Sequence, residues 1–232
     1  MFFSVSTVYA AFEKDTIQTS RGDLVITFIG HGTLHFQYQD VTIHVDPVTR
    51  YANYTEMPDA DIILITHHHG DHLDPEAIDK ISTKNTKIIY TQTCAKELAG
   101  GSVLNNGEHT TIRKIPVKAV PAYNLVHKRG NGEPYHPKGV GNGYVISFGD
   151  IKVYVAGDTE NVPEMADLTE IDIAFLPMNL PYTMTPKMVV DAVTMFQPKI
   201  LYPYHYGNTD VSELVKLLRD YENTEVRVRS MD

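Results

Sequence analysis

The stretch DIILITHHHGDHLDP, residues 61–75, decides the fold and the chemistry of this chain. Residues 61–66 centre on a continuous apolar run of strand length, which predicts a strand buried on both faces. Asp74 and Pro75 supply an N-cap and a first-turn proline, so a helix is predicted to begin there. Four histidines and an aspartate lie between the two elements. Ligands commonly bind at such strand ends, because side chains from a rigid strand converge there.

The spacing within this cluster indicates metal binding. His67 and His69 are two residues apart, so an extended segment projects them the same way. Asp71 and His72 follow Gly70, where a turn lets them face a second point a few ångströms away. Imidazole and carboxylate suit zinc, manganese, iron or nickel, and two ions about 3.5–4 Å apart could share one cluster. We therefore expect one or two divalent ions, with zinc as the first choice.

Two later strands also end in potential ligands. The apolar segment 152–156 leads into Gly157-Asp158-Thr159, and the segment 200–204 leads into His205. Three separate strands thus each place a ligand type just past their ends. A metal site requires this convergence, whereas a solvated histidine-rich loop does not, so that alternative interpretation of the first cluster is disfavoured.

Strands and helices follow each other in two similar halves. Each half begins with strands of two-residue alternation and continues with strands that alternate with helices. Helix starts are predicted at Asp74, Thr185 and Asp210. Two such halves predict an α/β protein, a four-layer αββα sandwich of two mixed β-sheets with the helices outside. The length of 232 residues fits one domain, which we place at residues 21–232.

Residues 1–20 are interpreted as an N-terminal extension. Phe2–Val8 is apolar, and small residues at 10 and 11 lie where a signal peptidase would cut, although no basic segment precedes them. The tail of a signal peptide and an ordinary first strand both remain open. The abrupt change to polar residues at 13–15 favours the signal remnant, so an exported or periplasmic location is slightly favoured over a cytoplasmic one.

Composition narrows the classes of partner. The net charge is −9 without a long run of Lys or Arg, which argues against a nucleic-acid partner. Bound cations would offset several negative charges, so an anionic small molecule stays compatible. No apolar stretch approaches the roughly 20 residues of a membrane span.

Cys94 is the only cysteine, so no internal disulfide can form. We expect its side chain to behave as a small buried hydrophobe. The oligomeric state stays open.

The motif order resembles the metallo-β-lactamase superfamily: H-x-H-x-D-H after an apolar strand, then G-D-T, then a histidine near the C-terminus. The match is similar to the subgroup that includes ascorbate-phosphate lactonases and N-acyl-phosphatidylethanolamine phospholipases. Supporting segments are IGHG at 29–32, VDP at 45–47 and YPYH at 202–205. The resemblance covers nearly the whole chain. It implies a hydrolase that uses a metal-activated hydroxide on an ester, lactone, amide or phosphodiester of a small molecule or lipid.

The resemblance also implies a ligand set for two metals. The residues expected to be essential for catalysis are Asp71, His72 and Asp158. Asp71 is expected to position the attacking water relative to the metal. The implied ligands are His67 and His69 for the first metal, Asp71, His72 and His205 for the second, and Asp158 for both.

One position departs from the family pattern. A third histidine usually reaches the first metal from a strand end before G-D-T, and this sequence has Asn124 there. Asn124 through its carbonyl oxygen, His127 and His136 are the alternatives, as is an enzyme with one tightly held metal. We favour a dinuclear site with Asn124 or His136 near the first metal. By the resemblance, His31 and Asp46 either orient ligand imidazoles and line the cleft or make local hydrogen bonds at turns.

The irregular stretch 124–142, rich in Gly and Pro, is expected to be a lid or specificity loop. Its cations, Lys128, Arg129 and Lys138, either attract a phosphate or carboxylate or form a solvated basic loop.

The departure at Asn124 supports an alternative function, a non-catalytic metal-binding sensor or binding protein of the same fold. A nucleic-acid-processing hydrolase is disfavoured by the acidity of the chain.

Overall fold

The structure, a computed structural model, describes residues 12–231. Two seven-stranded sheets are each built from consecutive strands of one half of the chain. The first sheet contains β1 (Lys14–Thr19), β2 (Gly22–Gly30), β3 (Thr33–Tyr38), β4 (Val41–Val45), β5 (Ile62–Leu64), β6 (Lys87–Tyr90) and β7 (Ser102–Val103). The second contains β8 (His109–Ile112), β9 (Ile115–Ala122), β10 (Gly141–Phe148), β11 (Ile151–Val155), β12 (Ile173–Pro177), β13 (Ile200–Tyr204) and β14 (Glu225–Val226). The helices are α1 (Pro75–Ile81), α2 (Pro186–Phe196) and α3 (Val211–Leu217).

Both sheets have the same order of pairings. Strands β1 to β4 pair antiparallel and β4 to β7 pair parallel. Likewise β8 to β11 pair antiparallel and β11 to β14 parallel. Parallel neighbours need crossover connections, and α1 and α2 lie in two of them. The predicted α/β sandwich of two mixed sheets is confirmed.

Aromatic rings join the two sheets. Phe28 and Phe36 of the first sheet meet Phe175 and Phe148 of the second, with ring centroids 5.7 to 6.2 Å apart. All four side chains are buried, because alternate residues of each strand face the space between the sheets. A smaller apolar cluster buries one side of α1 against the first sheet. Cys94 lies fully buried in this cluster, as expected.

The three predicted helix starts are confirmed by their caps. The side chains of Asp74, Thr185 and Asp210 each accept a hydrogen bond from a backbone N–H of the first turn. Pro75 and Pro186 occupy first-turn positions, where the missing N–H has no helical partner to lose. The cap at Asp74 ends the histidine-rich turn at a fixed point.

The first described strand lies before residue 21, where we place the start of the domain. Strand β1 forms the edge of the first sheet, and Asp15 accepts hydrogen bonds from the guanidinium of Arg229 near the other end of the chain. Residues 14–19 therefore pair with the first sheet and contact the C-terminal part of the described chain. The expected signal-peptide tail or first strand at Phe2–Val8 lies outside the described residues. None of the helices between residues 12 and 231 has the length and apolar character needed to cross a bilayer.

Candidate metal centre

Polar side chains converge at one edge of the sandwich, where strands of both sheets end. His31 and Asp46 directly follow β2 and β4, and His67 follows β5 after two residues. From the second sheet, Asp158 follows β11 and His205 directly follows β13. The predicted meeting of three strand ends is present, and β2 and β4 contribute to it as well.

His67, His69 and His136 form the first group of potential ligands. One nitrogen of each ring lies within 4.8 Å of the others, and His67 Nε2 is 3.1 Å from His69 Nδ1. His67 and His136 are buried and His69 is partly buried. The predicted histidine pair is thus joined by a third imidazole from the irregular loop.

The second group contains His31, Asp71, His72 and His205. The Nε2 atoms of His72 and His205 are 3.1 Å apart, and Asp71 Oδ2 lies 3.9 and 3.8 Å from them. His31 Nε2 is 3.1 Å from the same carboxylate oxygen. The sequence left two roles open for His31, orienting an imidazole or lining the cleft, and local hydrogen bonding at a turn; the structure places it beside Asp71, among the potential ligands.

Asp158 lies between the two groups and faces both. Its Oδ2 is 3.2 Å from His136 Nε2 and 3.9 Å from His67 Nε2. Its Oδ1 is 3.4 Å from Nε2 of both His72 and His205. One carboxylate oxygen is therefore turned toward each group, which is the arrangement expected of a bridging ligand.

Asp46 and Thr66 fix the orientation of two ligand imidazoles. Asp46 Oδ2 accepts hydrogen bonds from His72 Nδ1 at 2.7 Å and from Thr66 Oγ1 at 2.6 Å. Since the Thr66 hydroxyl gives its proton to Asp46, it accepts from His67 Nδ1 at 3.0 Å. Both rings therefore carry a proton on Nδ1, and a neutral ring then presents its Nε2 lone pair to the centre, as a metal ligand must.

Asn124 positions His136 and has no free ligand atom of its own. Its Oδ1 accepts hydrogen bonds from His136 Nδ1 at 2.7 Å and from His136 N at 2.8 Å. Its Nδ2 donates to Glu160 Oε1 at 3.0 Å and to the Tyr182 carbonyl at 2.9 Å. The ring of His127 bonds to Glu160 at 2.7 Å. Of these three side chains, His136 is the one that lies beside His67 and His69.

Glu160 is a residue that the sequence did not single out. Its buried carboxylate accepts hydrogen bonds from the backbone N–H groups of Leu125, Val126 and His127 at 2.6 to 2.7 Å. Burial alone would raise the pKa of Glu160, but these bonds and the one from Asn124 lower it overall. The only signal in the sequence is an acidic residue two positions after the G-D-T aspartate.

The donor set fits a divalent cation. Asp158 Oδ1, which faces Nε2 of both His72 and His205, is buried and makes no hydrogen bond with the described residues. Burial opposes ionisation of Asp158, yet its interactions with the neighbouring histidines, His205 first and then His72 and His136, hold its pKa well below its usual value. Burial lowers the pKa of His205 to about 4, so this ring is neutral, as a metal ligand must be.

His72 shows that this centre attracts positive charge. Burial would lower its pKa, but the carboxylates of Asp158 and Asp46 raise it to about 9. Without a metal, the cluster therefore holds a proton on this ring. Metal binding must displace that proton, which makes affinity dependent on pH.

Left-handed backbone turns and a missing side chain bring the second group together. His31, Asp46 and His205 have φ angles of 53°, 47° and 45°, a conformation that costs non-glycine residues about 1–2 kcal/mol each. A backbone hydrogen bond of 2.9 Å from His205 N to the His31 carbonyl holds two of these turns together. A Cβ added at Gly32 would lie 2.7 Å from Cε1 of His72. Strain of this kind is characteristic of functional sites.

Comparison with known families agrees with this geometry. The profile of the beta-lactamase superfamily domain matches residues 25–205, which include every potential ligand described above. This chain belongs to the metallo-β-lactamase superfamily. The predicted superfamily is thus confirmed, whereas the narrower likeness to lactonases and phospholipases stays a prediction.

Individual relatives in this superfamily support the enzyme class. A metal-dependent hydrolase from Parabacteroides distasonis ATCC 8503 is 50% identical, with a TM-score of 0.91 over 95% of this chain and 100% of that chain. The UPF0173 metal-dependent hydrolase of Thermococcus onnurineus (strain NA1) is 32% identical over 84% of this chain and 92% of the relative. A metallo hydrolase from Ignicoccus hospitalis shares the fold, with 22% identity and a TM-score of 0.71 over 90% of this chain and 95% of that chain. The predicted class, a metallo-β-lactamase-fold hydrolase, is confirmed.

A cleft of about 380 Å³ opens onto the metal centre of this superfamily member. Ligands of both groups line it, together with residues of two loops, 125–136 and 179–184. A larger groove of about 690 Å³ lies beside Tyr51, whose ring stacks on His31 at 5.3 Å, but none of the ligand residues lines it. The smaller cleft is therefore the one that gives access to the potential metal ligands.

Proposed function

We propose that this chain hydrolyses an ester, lactone, amide or phosphodiester of a small molecule or lipid at a centre of two divalent ions. The observation that carries the proposal is the position of Asp158, with one carboxylate oxygen toward each ligand group. The residues that would hold the ions are His67, His69 and His136 for the first, Asp71, His72 and His205 for the second, and Asp158 for both.

The ligand chemistry favours zinc. Neutral imidazoles dominate both groups, and catalytic zinc sites commonly combine histidines with a carboxylate and keep one position open for water or substrate. Manganese, iron and nickel accept the same ligand types, so availability contributes to the choice. When bound, such ions would lower the pKa of a coordinated water to about 7 and polarise the carbonyl or phosphoryl oxygen of the substrate.

Asp71 is the carboxylate best placed to act on the attacking water. Its side chain is 41% exposed and lines the cleft, whereas that of Asp158 is 4% exposed. Burial would raise the pKa of Asp71, but its hydrogen bond with His31 and the charge of His72 lower it overall. Asp71 therefore stays ionised near neutral pH and accepts a hydrogen bond from water, while His31 donates to Asp71 Oδ2 and holds the carboxylate in place.

The alternative of a non-catalytic sensor loses its main support. It depended on Asn124 as a defective third ligand, and His136 supplies an imidazole in that place. The substrate is proposed to be a small molecule or lipid and not a nucleic acid, because the chain has a net charge of −9 and nucleic-acid binding needs a basic surface.

Metal content and turnover test this proposal together. We expect the zinc-loaded protein to contain two ions per chain by mass spectrometry. We also expect it to hydrolyse at least one member of a panel of 4-nitrophenyl esters, lactones and bis(4-nitrophenyl) phosphate. Asp71→Ala is expected to abolish turnover while circular dichroism shows an intact fold.

The matched pair His136→Ala and His127→Ala tests the ligand assignment. The first variant is expected to lose one ion, and the second to keep both, because the His127 ring bonds to Glu160 and not to the centre. Two bound ions without turnover of any panel member would favour the sensor. Full metal content in His136→Ala would contradict the proposed first site.

A further inference from the structure

One cation of the irregular loop lines the metal cleft without an acidic partner. Arg129 borders the cleft together with Asp71 and Asp158, and no carboxylate within residues 12–231 lies within 4.0 Å of its guanidinium. The loop cation Lys138, by contrast, forms an ion pair of 2.6 Å with Glu164. Arg129 is therefore the loop cation that is free to meet a ligand at the metal centre.

The local structure holds Arg129 in place. Its backbone N–H donates to the Glu133 carbonyl at 2.7 Å, and its own carbonyl accepts from Gly132 N at 2.9 Å. Its Nη2 donates to the Tyr135 carbonyl at 3.2 Å, and the guanidinium lies over the Tyr135 ring at 5.3 Å. The remaining guanidinium N–H groups make no hydrogen bond with the described residues. A planar cation held in this way suits carboxylate and phosphate groups.

An aromatic wall continues from Arg129 along the cleft. The rings of Tyr135 and Tyr182 meet edge to face with centroids 5.0 Å apart. The Tyr182 N–H donates to the Asn179 carbonyl at 2.8 Å, which places Asn179 in the same turn. Asn179 lines the cleft, and its side-chain amide makes no hydrogen bond inside the described part of the chain. The wall therefore offers a cation, two rings and a free amide donor.

The same two loops carry exposed apolar side chains. Eight large apolar residues are clearly exposed between residues 12 and 231, and four of them belong to these loops: Leu125, Val126, Leu180 and Tyr182. The loops meet where Asn124 Nδ2 donates to the Tyr182 carbonyl at 2.9 Å. Apolar surface gathered beside a functional cleft indicates a ligand with an apolar part.

We infer that Arg129 and Asn179 form an anion subsite, and that the substrate carries a carboxylate or phosphate next to an aromatic or other apolar group. The inference rests on the proposed function, because the subsite borders the proposed metal centre. The chain as a whole is acidic, so an anionic substrate needs local positive charge to enter, and Arg129 supplies it beside the ions.

Calorimetric binding of small probes to the zinc-loaded protein tests the subsite without turnover. The probes are benzoate and phenylphosphonate, with benzyl alcohol as their neutral counterpart. We expect Arg129→Gln to weaken binding of at least one anion about ten- to hundredfold and to leave benzyl alcohol unaffected. Asn179→Ala is expected to weaken the same anion. Lys128→Gln removes the neighbouring exposed cation, which does not line the cleft, and is expected to match the wild type.

The outcomes separate the two anions and the two proposals. A loss confined to benzoate identifies a carboxylate, and a loss confined to phenylphosphonate identifies a phosphate. Three results would overturn the inference. The wild type and Arg129→Gln could bind both anions with equal affinity, the wild type could bind neither anion detectably, or Arg129→Gln could weaken benzyl alcohol as much as the anions. The binding measurement needs no hydrolysis. The anion subsite can therefore be refuted while the panel substrates are still hydrolysed, and hydrolysis can be absent while the anions still bind.

Discussion

Position 32 has no room for a side chain, because the imidazoles of the metal centre pack directly against Gly32. An added Cβ would lie 2.7 Å from Cε1 and 3.1 Å from Nδ1 of His72, and 3.4 Å from Cδ2 of His205. His72 has no room to move, because its Nδ1 is bonded to the buried carboxylate of Asp46. A single methyl group would therefore turn this imidazole away from the second ligand group or break its bond to Asp46.

We predict that Gly32→Ala weakens zinc binding about 10- to 100-fold and destabilises the metal-free protein by roughly 1–3 kcal/mol. Zinc titration and chemical denaturation measure the two effects. Gly70→Ala is the matched control, because nothing lies within 4 Å of a Cβ at that position of the histidine-rich turn. Similar zinc affinities in the two variants would refute the close-packing explanation.

Among the elements, the segment after β9 depends on one buried carboxylate. Residues 124–127 form neither helix nor strand, so their backbone N–H groups need other acceptors. Glu160 accepts from three of them and from the Asn124 side chain, which in turn holds His136. The geometry of the first ligand group is therefore set by a residue that touches neither the group nor the cleft.

We predict that Glu160→Gln destabilises the protein by about 1–3 kcal/mol, because the new amide group replaces an acceptor with a donor among N–H groups. Hydrogen exchange of residues 125–127 should accelerate, and zinc bound by the first group should decrease. Glu164→Gln is the control, since it breaks a partly exposed ion pair with Lys138 and should cost less than about 1 kcal/mol. Unchanged exchange in Glu160→Gln would show that the loop has another anchor.

The same segment marks the limit of what the sequence could predict. Strand and helix positions follow from local periodicity and caps, so the strand ends that carry His67, Asp158 and His205 were predictable. His136 lies in a stretch without periodicity, twelve residues from the asparagine that holds it. Its role arises from contacts among Asn124, Glu160 and the loop backbone, which no local pattern encodes.

For the molecule as a whole, a histidine pair away from the metal centre links stability to pH. His35 on β3 and His44 on β4 are cross-strand partners with ring centroids 4.8 Å apart. Burial and the charge of Lys14 lower the pKa of His35 to about 4. Burial and the charge of His35 lower the pKa of His44 to about 3. Both rings are therefore neutral in the folded protein near neutral pH.

We predict that the metal-free protein loses stability as the pH falls below 6.5. Between 6.5 and the folded pKa values of about 4 and 3, the unfolded chain binds more protons at His35 and His44, so stability decreases with acidification. Each group contributes about 1.4 kcal/mol per pH unit in the middle of that window. Denaturation at pH 7 and pH 5 should show a smaller loss for His44→Gln than for the wild type. The exposed control His109→Gln should keep the full loss, and an unchanged pH dependence in His44→Gln would argue against this origin.

The central claim is that two ligand groups share the carboxylate of Asp158. Anomalous scattering from crystals of the zinc-loaded protein tests it most directly. We expect two zinc peaks with Asp158 in contact with both, one bound by His67, His69 and His136 and the other by Asp71, His72 and His205. A single peak, or ions bound elsewhere while these side chains stay unligated, would contradict the claim.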